Sequence, residues 1–288
     1  MVSMKSQSAM EYLMTYGWAI LIIAVVLGVL FQLGVFSGSA LTPKAAPGAC
    51  QVVRLGGQAS LEGECQGQLP QYVGQFDGST GYITIPENLI ITTAMTASIW
   101  FDPSVSENTG LCRDSFAYYD FGYKYWIIRP FDCNGNNWVV YFNSGNGGNH
   151  AGASPYPALG AWQNMVLTYN GYYVQGYLNG VAASPAPTTG SLVVNGVTVI
   201  GGGGYSTPSE LFQGELANAQ LYNTSFSANE VLALYQEGIG GAPIKIQNLV
   251  GWWPLNGNAQ DYSGNNDNGQ ITGGVSFNGT WQAEYTPP

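Results

Sequence analysis

Two rhythms of apolar residues divide the chain. From Leu13 to Phe36 almost every position is apolar, and the run contains no lysine or arginine. It exceeds the ~20 apolar residues a helix needs to cross a bilayer, and it predicts one long hydrophobic N-terminal α-helix over residues 7–36. Further along, the period changes to two. In AMTASIWF, Met95, Ala97, Ile99 and Phe101 fall on one face, with Thr96, Ser98 and Trp100 on the other. Similar runs predict strands at Gly81–Pro86, Asn137–Asn143, Asn164–Asn170, Tyr172–Gly180, Ser191–Gly201, Glu215–Asn223 and Leu249–Leu255. Asn-Gly pairs at Asn170–Gly171, Asn179–Gly180 and Asn195–Gly196 predict tight hairpins, because type I′ turns need positive φ at both central residues. One helix interrupts the strands. Ser227 and Glu230 form a capping-box pattern, Val231, Leu234 and Tyr235 make an apolar stripe, and Gly238 is placed to stop it. The pattern as a whole predicts an all-β antiparallel sandwich or barrel preceded by the hydrophobic helix.

The stretch 37–49, SGSALTPKAAPGA, has linker composition, and Pro43 and Pro47 cannot continue a helix. A domain boundary is expected there. Only 8% of residues are charged and the net charge is −10, with no basic patch to neutralise phosphates, so a nucleic-acid partner is excluded. The 13% aromatic content with so little charge is the opposite of a disordered composition. Cys50, Cys65, Cys112 and Cys133 follow no C-x-x-C zinc spacing. With an N-terminus directed to a membrane, they favour disulfides. Local pairing, Cys50 with Cys65 and Cys112 with Cys133, is one of the three connectivities that four cysteines allow.

Glu11 stands at the front edge of the apolar run. One reading is a plain signal anchor. A cleavable secretory signal ending near Ser37–Ala40 is disfavoured, because the apolar run far exceeds an h-region of roughly 7–15 residues. A third reading makes the carboxylate functional, since a charge near the bilayer is costly to bury alone. The residues KSQSAMEYLMTYGWAILII resemble the class III signal peptide of archaeal type IV pilins and archaellins. The resemblance implies a leader at residues 1–6, cleavage between Ser6 and Gln7 by a prepilin-type peptidase, and Glu11 as the fifth mature residue. Ser6 stands where glycine is common, and Lys5 fits the basic position. It further implies membrane insertion before assembly, export by pilus machinery, and a homopolymeric surface filament built through the N-terminal helices. Glu11 would then pair with the Gln7 amine of a neighbouring copy, each offsetting the other's desolvation and fixing one axial stagger.

The remainder, residues 50–288, is expected to form one domain, and most of Tyr72–Ile271 within it resembles a laminin G-like jelly roll of the concanavalin A-like class. FDGSTGYITIP (Phe76–Pro86), ASIWF (Ala97–Phe101), WQNMVLTYNGYYVQGYLNG (Trp162–Gly180) and FQGELANAQLYNTSFSANEVLALYQEG (Phe212–Gly238) carry the likeness. LVGWWPLNGNAQDYSGNNDNGQI (Leu249–Ile271) is similar to the segment that usually opens such a domain. Coming last here, it implies a permuted order in which it still takes the first-strand place beside the strand near Phe76. The Cys50–Pro70 segment is not covered by the likeness.

Catalysis is not expected. The Glu-x-Asp-x-x-Glu strand of related glucanases, which supplies nucleophile and acid, does not occur in this sequence. Glu210 and Glu215 are five apart and would face opposite sides of a strand. His150 is the only histidine, in a Gly/Asn-rich stretch read as an exposed loop, and no Gly-x-Ser-x-Gly elbow exists. The loop Asn256–Asn268 offers Asp261 and Asp267 as hard oxygen ligands for calcium. The competing reading is a loop held by Asx-turns. Where the family often has an acidic pair, this chain has Ala217 and Asn218. Tyr118, Tyr119, Tyr123, Tyr125 and Trp126 are either core and inter-subunit packing or a platform for sugars. Asn223 and Asn278 head N-glycosylation sequons. The expected function is a pilin-like filament subunit with an exposed jelly-roll head for adhesion. The alternative is a membrane-anchored, glycan-binding surface protein that does not polymerise.

Overall fold

The structure, a computed structural model, describes residues 5–32, 43–85, 93–105, 112–120, 122–133, 137–145, 148–191, 196–204 and 209–288, with side chains in the first span at 14 and 16–30. The chain forms two compact units, Met1–Thr42 and Pro43–Pro288. In the first, helix α1 runs Lys5–Gln32. Among its large apolar side chains, Trp18, Ile20, Leu21, Ile22, Ile23 and Val25 are each more than half exposed. Among the described residues no helix is long and apolar enough to cross a membrane. The expected continuation of the helix to Phe36 lies outside the described residues, as do the side chains of Ser6, Gln7 and Glu11.

The second unit takes up part of the expected linker. Strands β1 (Lys44–Ala45), β2 (Cys50–Leu55), β3 (Gln58–Gly63) and β4 (Leu69–Pro70) precede the sandwich. β1 pairs with β4 in parallel, and β2 with β3 as an antiparallel hairpin. Arg54 on β2 docks this hairpin by donating to the carbonyls of Ser263, Ile246 and Leu249. The segment that the family likeness left uncovered is therefore a stapled hairpin packed beside the sandwich.

The sandwich strands follow in order: β5 (Val73–Asp77), β6 (Tyr82–Ile85), β7 (Met95–Pro103), β8 (Phe116–Asp120), β9 (Tyr125–Arg129), β10 (Trp138–Asn143), β11 (Asn149–Ala153), β12 (Gln163–Tyr169), β13 (Tyr173–Leu178), β14 (Val181–Ala182), β15 (Ala186–Pro187), β16 (Gly196–Ile200), β17 (Gln213–Tyr222), β18 (Leu249–Trp253), β19 (Gln270–Thr272) and β20 (Val275–Asn278). One sheet has seven strands in the order β11-β10-β9-β8-β16-β6-β19. The other has nine, β14-β13-β12-β7-β17-β5-β20, with β15 on β13 and β18 on β17. Among the described residues, the pairings between these strands are antiparallel.

The alternation of the sequence explains the core. Met95, Ala97, Ile99 and Phe101 on β7 join Phe116, Trp126, Ile128, Val140, Phe142, Met165, Leu167 and Trp253 in one buried cluster between the sheets. Phe142 stacks on Tyr169 with ring centroids 3.7 Å apart, and Phe116 meets Trp253 edge-on at 6.1 Å, so aromatic contacts bridge the two layers. Burying each such side chain contributes on the order of 1.5–3 kcal/mol.

Helix α2 (Ala228–Gln236) is built as its sequence predicts. Ser227 and Glu230 make the reciprocal capping box, and Val231 and Leu234 are buried. Gly238 follows with φ +77°. Three other expectations are corrected. β18 pairs with the second half of β17, whereas β5 pairs with its first half and has β20 as its other neighbour. β17 is ten residues long and its register against β7 shifts between Ala217 and Gln220, so it serves two short strands along one side. The Asn179–Gly180 turn has both residues at positive φ, but Asn170 does not. There the Asn170 side chain accepts from the N–H groups of Tyr172 and Tyr173 instead, an Asx-turn. His150 sits on edge strand β11 rather than in a loop; Asn195 lies outside the described residues.

Candidate functional site

The Cys112–Cys133 disulfide closes the ends of the β8–β9 hairpin, where Arg113 also bridges to Phe131. Inside that loop, strand alternation sorts the aromatic stretch. Tyr118 and Trp126 point into the inter-sheet core. Tyr119 and Ile127 point the other way and form a small outer cluster with Ala117, against which Tyr125 and Tyr141 pack. The core reading holds for Tyr118 and Trp126, while Tyr119 and Tyr125 lie on the outer face.

Strand register assembles this outer face. Tyr119 lies opposite Tyr125, and their rings are 5.9 Å apart. Tyr141 on β10 lies opposite Ile127 on one side and His150 on the other. Its ring is 5.2 Å from the imidazole and 5.3 Å from the Arg129 guanidinium. Tyr125 and Tyr141 are half-buried and His150 is exposed, so the row opens to solvent at the β10–β11 edge. Tyr123 stands at the β8–β9 turn with 69% of its surface exposed.

A charged network supports the row. Arg129 donates from Nε to Asp114 Oδ1 at 2.6 Å and from Nη2 to Glu210 Oε2. Its Nη1 lies 3.5 Å from Asp132 Oδ1. Tyr119 Oη donates to Asp114 Oδ2 at 2.7 Å, and Tyr141 Oη to Asp132 Oδ1 at 3.3 Å. Arg129 and Asp114 are buried, whereas the Glu210 side chain keeps 34% exposure. Burial and then the nearby Asp114 charge push the Glu210 carboxyl up to about 8, against the opposing pull of Arg129. Burial opposes charge on Arg129, but Asp114 and Glu210 outweigh it and hold the guanidinium charged. Burial and then Asp132 raise Tyr141 to about 12. One cation thus faces three carboxylates. Tyr rings can stack on the C–H face of a sugar, while Glu210 and His150 stand at the rim to exchange hydrogen bonds with hydroxyls.

The other sequence-derived sites fall elsewhere. Cys50 pairs with Cys65, as the local pairing anticipates. Cys112, Cys133 and Asp132 are close enough to hold a metal ion, but the two sulfurs are bonded to each other and offer no thiolate. Asp261 accepts four hydrogen bonds, from Trp252 N and Ser263 N on one oxygen and from Ser263 Oγ and Asp267 N on the other. Those donors fill the loop in the manner of the Asx-turn reading. Asp267 contributes its main chain, accepting from Trp253 Nε1. Asn223 is exposed, whereas Asn278 Nδ2 donates to Glu215 Oε1. Glu215 is on β17, but Glu210 precedes that strand, so, contrary to the expectation from their spacing, the two do not share a strand. Sequence reasoning missed Asp114, Arg129, Asp132 and Tyr141. Arg129 and Tyr141 were signalled by the outward phase of β9 and β10, whose pairing was not readable, and Asp114 and Asp132, outside the strands, carried no pattern.

The sequence model of the concanavalin A-like lectin/glucanases superfamily matches residues 77–232, over half of the chain. No curated protein matches it. Among solved structures, the fold is similar to a candidate carbohydrate binding protein from Bacteroides ovatus, with TM-score 0.56, 16% identity, and coverage of 78% of this chain and 64% of that one. It is also similar to the heptameric SAP-like pentraxin from Limulus polyphemus, with TM-score 0.52, 13% identity, and coverage of 72% and 94%. At such identities the likeness is one of fold.

Proposed function

The chain belongs to the concanavalin A-like lectin/glucanases superfamily, and from that premise we propose that its jelly roll is a surface-displayed carbohydrate-binding head. The observation that carries the reading is the solvent-open row of Tyr125, Tyr141 and His150 backed by the Arg129–Asp114–Glu210 network. A sugar ring would stack on Tyr141 and Tyr125, with its hydroxyls exchanging hydrogen bonds with Glu210 and His150. The carboxyl groups gathered around Arg129 favour neutral sugars over acidic ones. The role is binding rather than hydrolysis, since Arg129 grips Asp114 and Glu210 together and leaves neither free as nucleophile. The similarity to a candidate carbohydrate binding protein agrees with this. Titration of neutral oligosaccharides into the full chain in detergent, with Tyr141→Ala as control, tests it.

The helix supports a second reading. Apolar side chains are exposed along α1 from Met14 to Val29, and they need cover from lipid or from copies of the helix. The pilin-like residues Ser6, Gln7 and Glu11 favour copies. In that reading the chain is inserted in the membrane, cut before Gln7 by a prepilin-type peptidase, and built into an extracellular filament that carries the heads outward. The two disulfides suit an oxidising exterior. Imaging of surface filaments, with sequencing of their subunit's N-terminus, tests it. A chain that keeps Met1 and never appears in filaments leaves only the anchored lectin.

A further inference from the structure

The outer face of the nine-stranded sheet carries a second constellation. Asp102 and Trp100 on β7 lie opposite Glu215 and Ala217 on β17, and Trp100 lies opposite Asn164 on β12. Trp162 precedes β12 on the same face as Asn164. Over this patch lies the segment Trp281–Tyr285. Trp281 meets Trp162 edge-on at 5.7 Å, Tyr285 meets Trp100 at 5.9 Å, and Trp162 N donates to Glu284 O.

The cover does not satisfy what it covers. Asp102 Oδ1, Trp162 Nε1 and Asn164 Oδ1 are buried without a hydrogen-bond partner, on residues only 4%, 6% and 0% exposed. Such groups are rare in folded proteins, and each costs free energy. The ring polar groups of the covering segment are spent elsewhere. Trp281 Nε1 donates to Pro70 O, and Tyr285 Oη accepts from Ile239 N. The Glu284 carboxyl hydrogen-bonds the Asp102 side chain, which the Ala161 N–H also reaches, so it is Oδ1 of Asp102 alone that is left idle. The patch therefore combines flat indole surface with two idle acceptors and one idle donor.

We propose that the Trp100–Asp102–Trp162–Asn164 patch is a second ligand site, for a neutral hydroxyl-rich ligand such as an oligosaccharide, and that the Trp281–Tyr285 segment is its displaceable cover. A sugar hydroxyl both donates and accepts, so one ring could engage Asp102, Asn164 and Trp162 while its C–H face rests on indole. An anion is disfavoured by Asp102, Glu215 and Glu284. The site is separate from the Tyr141 face and does not rest on its being a lectin site.

The test uses the full chain in detergent, carrying Tyr141→Ala to silence the other face. Neutral gluco-, xylo-, manno- and galacto-oligosaccharides are titrated by calorimetry against this parent and against the parent with Trp281→Ala and Tyr285→Ala added. Near-UV circular dichroism checks folding. If the double change does not fold, Trp281→Ala alone replaces it, since it leaves the Asp102–Glu284 contact in place. The expected result is binding about tenfold tighter or more for at least one sugar once the cover is loosened. Adding Trp162→Phe, which keeps an aromatic ring and deletes the donor, should reverse the gain. A folded, uncovered variant that binds no sugar more tightly than its parent overturns the proposal, as does a gain that survives Trp162→Phe. Absence of binding by the unaltered chain would count against the Tyr141 face alone and leave this comparison intact.

Discussion

Arg129 Nε donates to Asp114 Oδ1 at 2.6 Å, with side-chain exposures of 8% and 0%. Two full charges are thus held out of water behind the tyrosine row, and Glu210 and Asp132 share the guanidinium. Removing one partner strands the other. Arg129→Met should destabilise the head by about 3–5 kcal/mol, read as a drop in denaturant midpoint with unchanged slope. Adding Asp114→Leu should recover part of the loss, because the stranded carboxylate is then gone. A single variant as stable as the unaltered chain would mean the pair is not the row's foundation.

Asp102 gives stability an unusual pH dependence. Burial first, then the Glu284 carboxyl and the Glu215 charge, push it up to about 8, and Glu215 is raised by its own burial. An unfolded aspartate titrates near ~3.9, so between the two values the folded chain binds the extra proton. Stability is then fullest below the unfolded value and is lost as pH rises toward 8. Melting temperature should fall over that window, and Asp102→Asn should flatten the fall. A melting temperature that rises from pH 5 to pH 8 would contradict the assignment.

Much of the fold was legible because alternation reports which residues share a face. Ile99 and Phe101 read as one face of a strand and share the inter-sheet core, although the other face of β7 is buried too, and Ser227 with Glu230 read as a capping box and form one. What alternation could not report was who pairs with whom. Tyr119, Tyr125 and Tyr141 become one row only through the register of β8, β9 and β10. Glu210 reaches Arg129 across 81 residues of sequence, a relation that no local pattern carries. The same limit misplaced β18, since a strand's sequence states its own faces and not its neighbour. Asn170 misled for a different reason, because an Asn-Gly pair suits either a type I′ turn or an Asx-turn.

The loop at Asp261 is predicted to be indifferent to calcium. All four donors to its carboxylate come from the protein, and a cation would have to displace them. Calcium chloride and a chelator should leave the melting temperature unchanged, whereas Asp261→Ala should lower it. Stabilisation that saturates with calcium and vanishes in Asp261→Ala would restore the metal reading.

The two sequons should differ in occupancy. Asn223 is exposed. Asn278 Nδ2 is engaged by Glu215, and its Oδ1 accepts from Thr280 N and Oγ1, so a glycan there would break contacts within the head. Peptide mass analysis of native protein should find sugar on Asn223 and none on Asn278. The reverse pattern would show that the Asn278–Glu215 contact does not form.

The head is stapled at two places, and Cys50–Cys65 closes a loop of about 15 residues. Non-reduced peptide mapping should recover Cys50 linked to Cys65 and Cys112 linked to Cys133. Replacing Cys50 and Cys65 together by alanine should cost about 2–4 kcal/mol and loosen the β2–β3 hairpin, leaving the tyrosine row on the opposite sheet in place. Crossed connectivity would break the account of both hairpins.

The most direct measurement is calorimetric titration of neutral oligosaccharides into the full chain in detergent, beside Tyr125→Ala and Tyr141→Ala variants shown to be folded by near-UV circular dichroism. Stacking on one tyrosine contributes about 0.5–1.5 kcal/mol, so each variant should weaken binding by up to roughly tenfold. Sialylated or uronic sugars of the same length should bind more weakly than neutral ones. Saturable binding of a neutral sugar that falls in both variants is the predicted result. Binding that is unchanged in both variants, or no binding of any neutral sugar by the unaltered chain, would contradict a carbohydrate-binding head at this face.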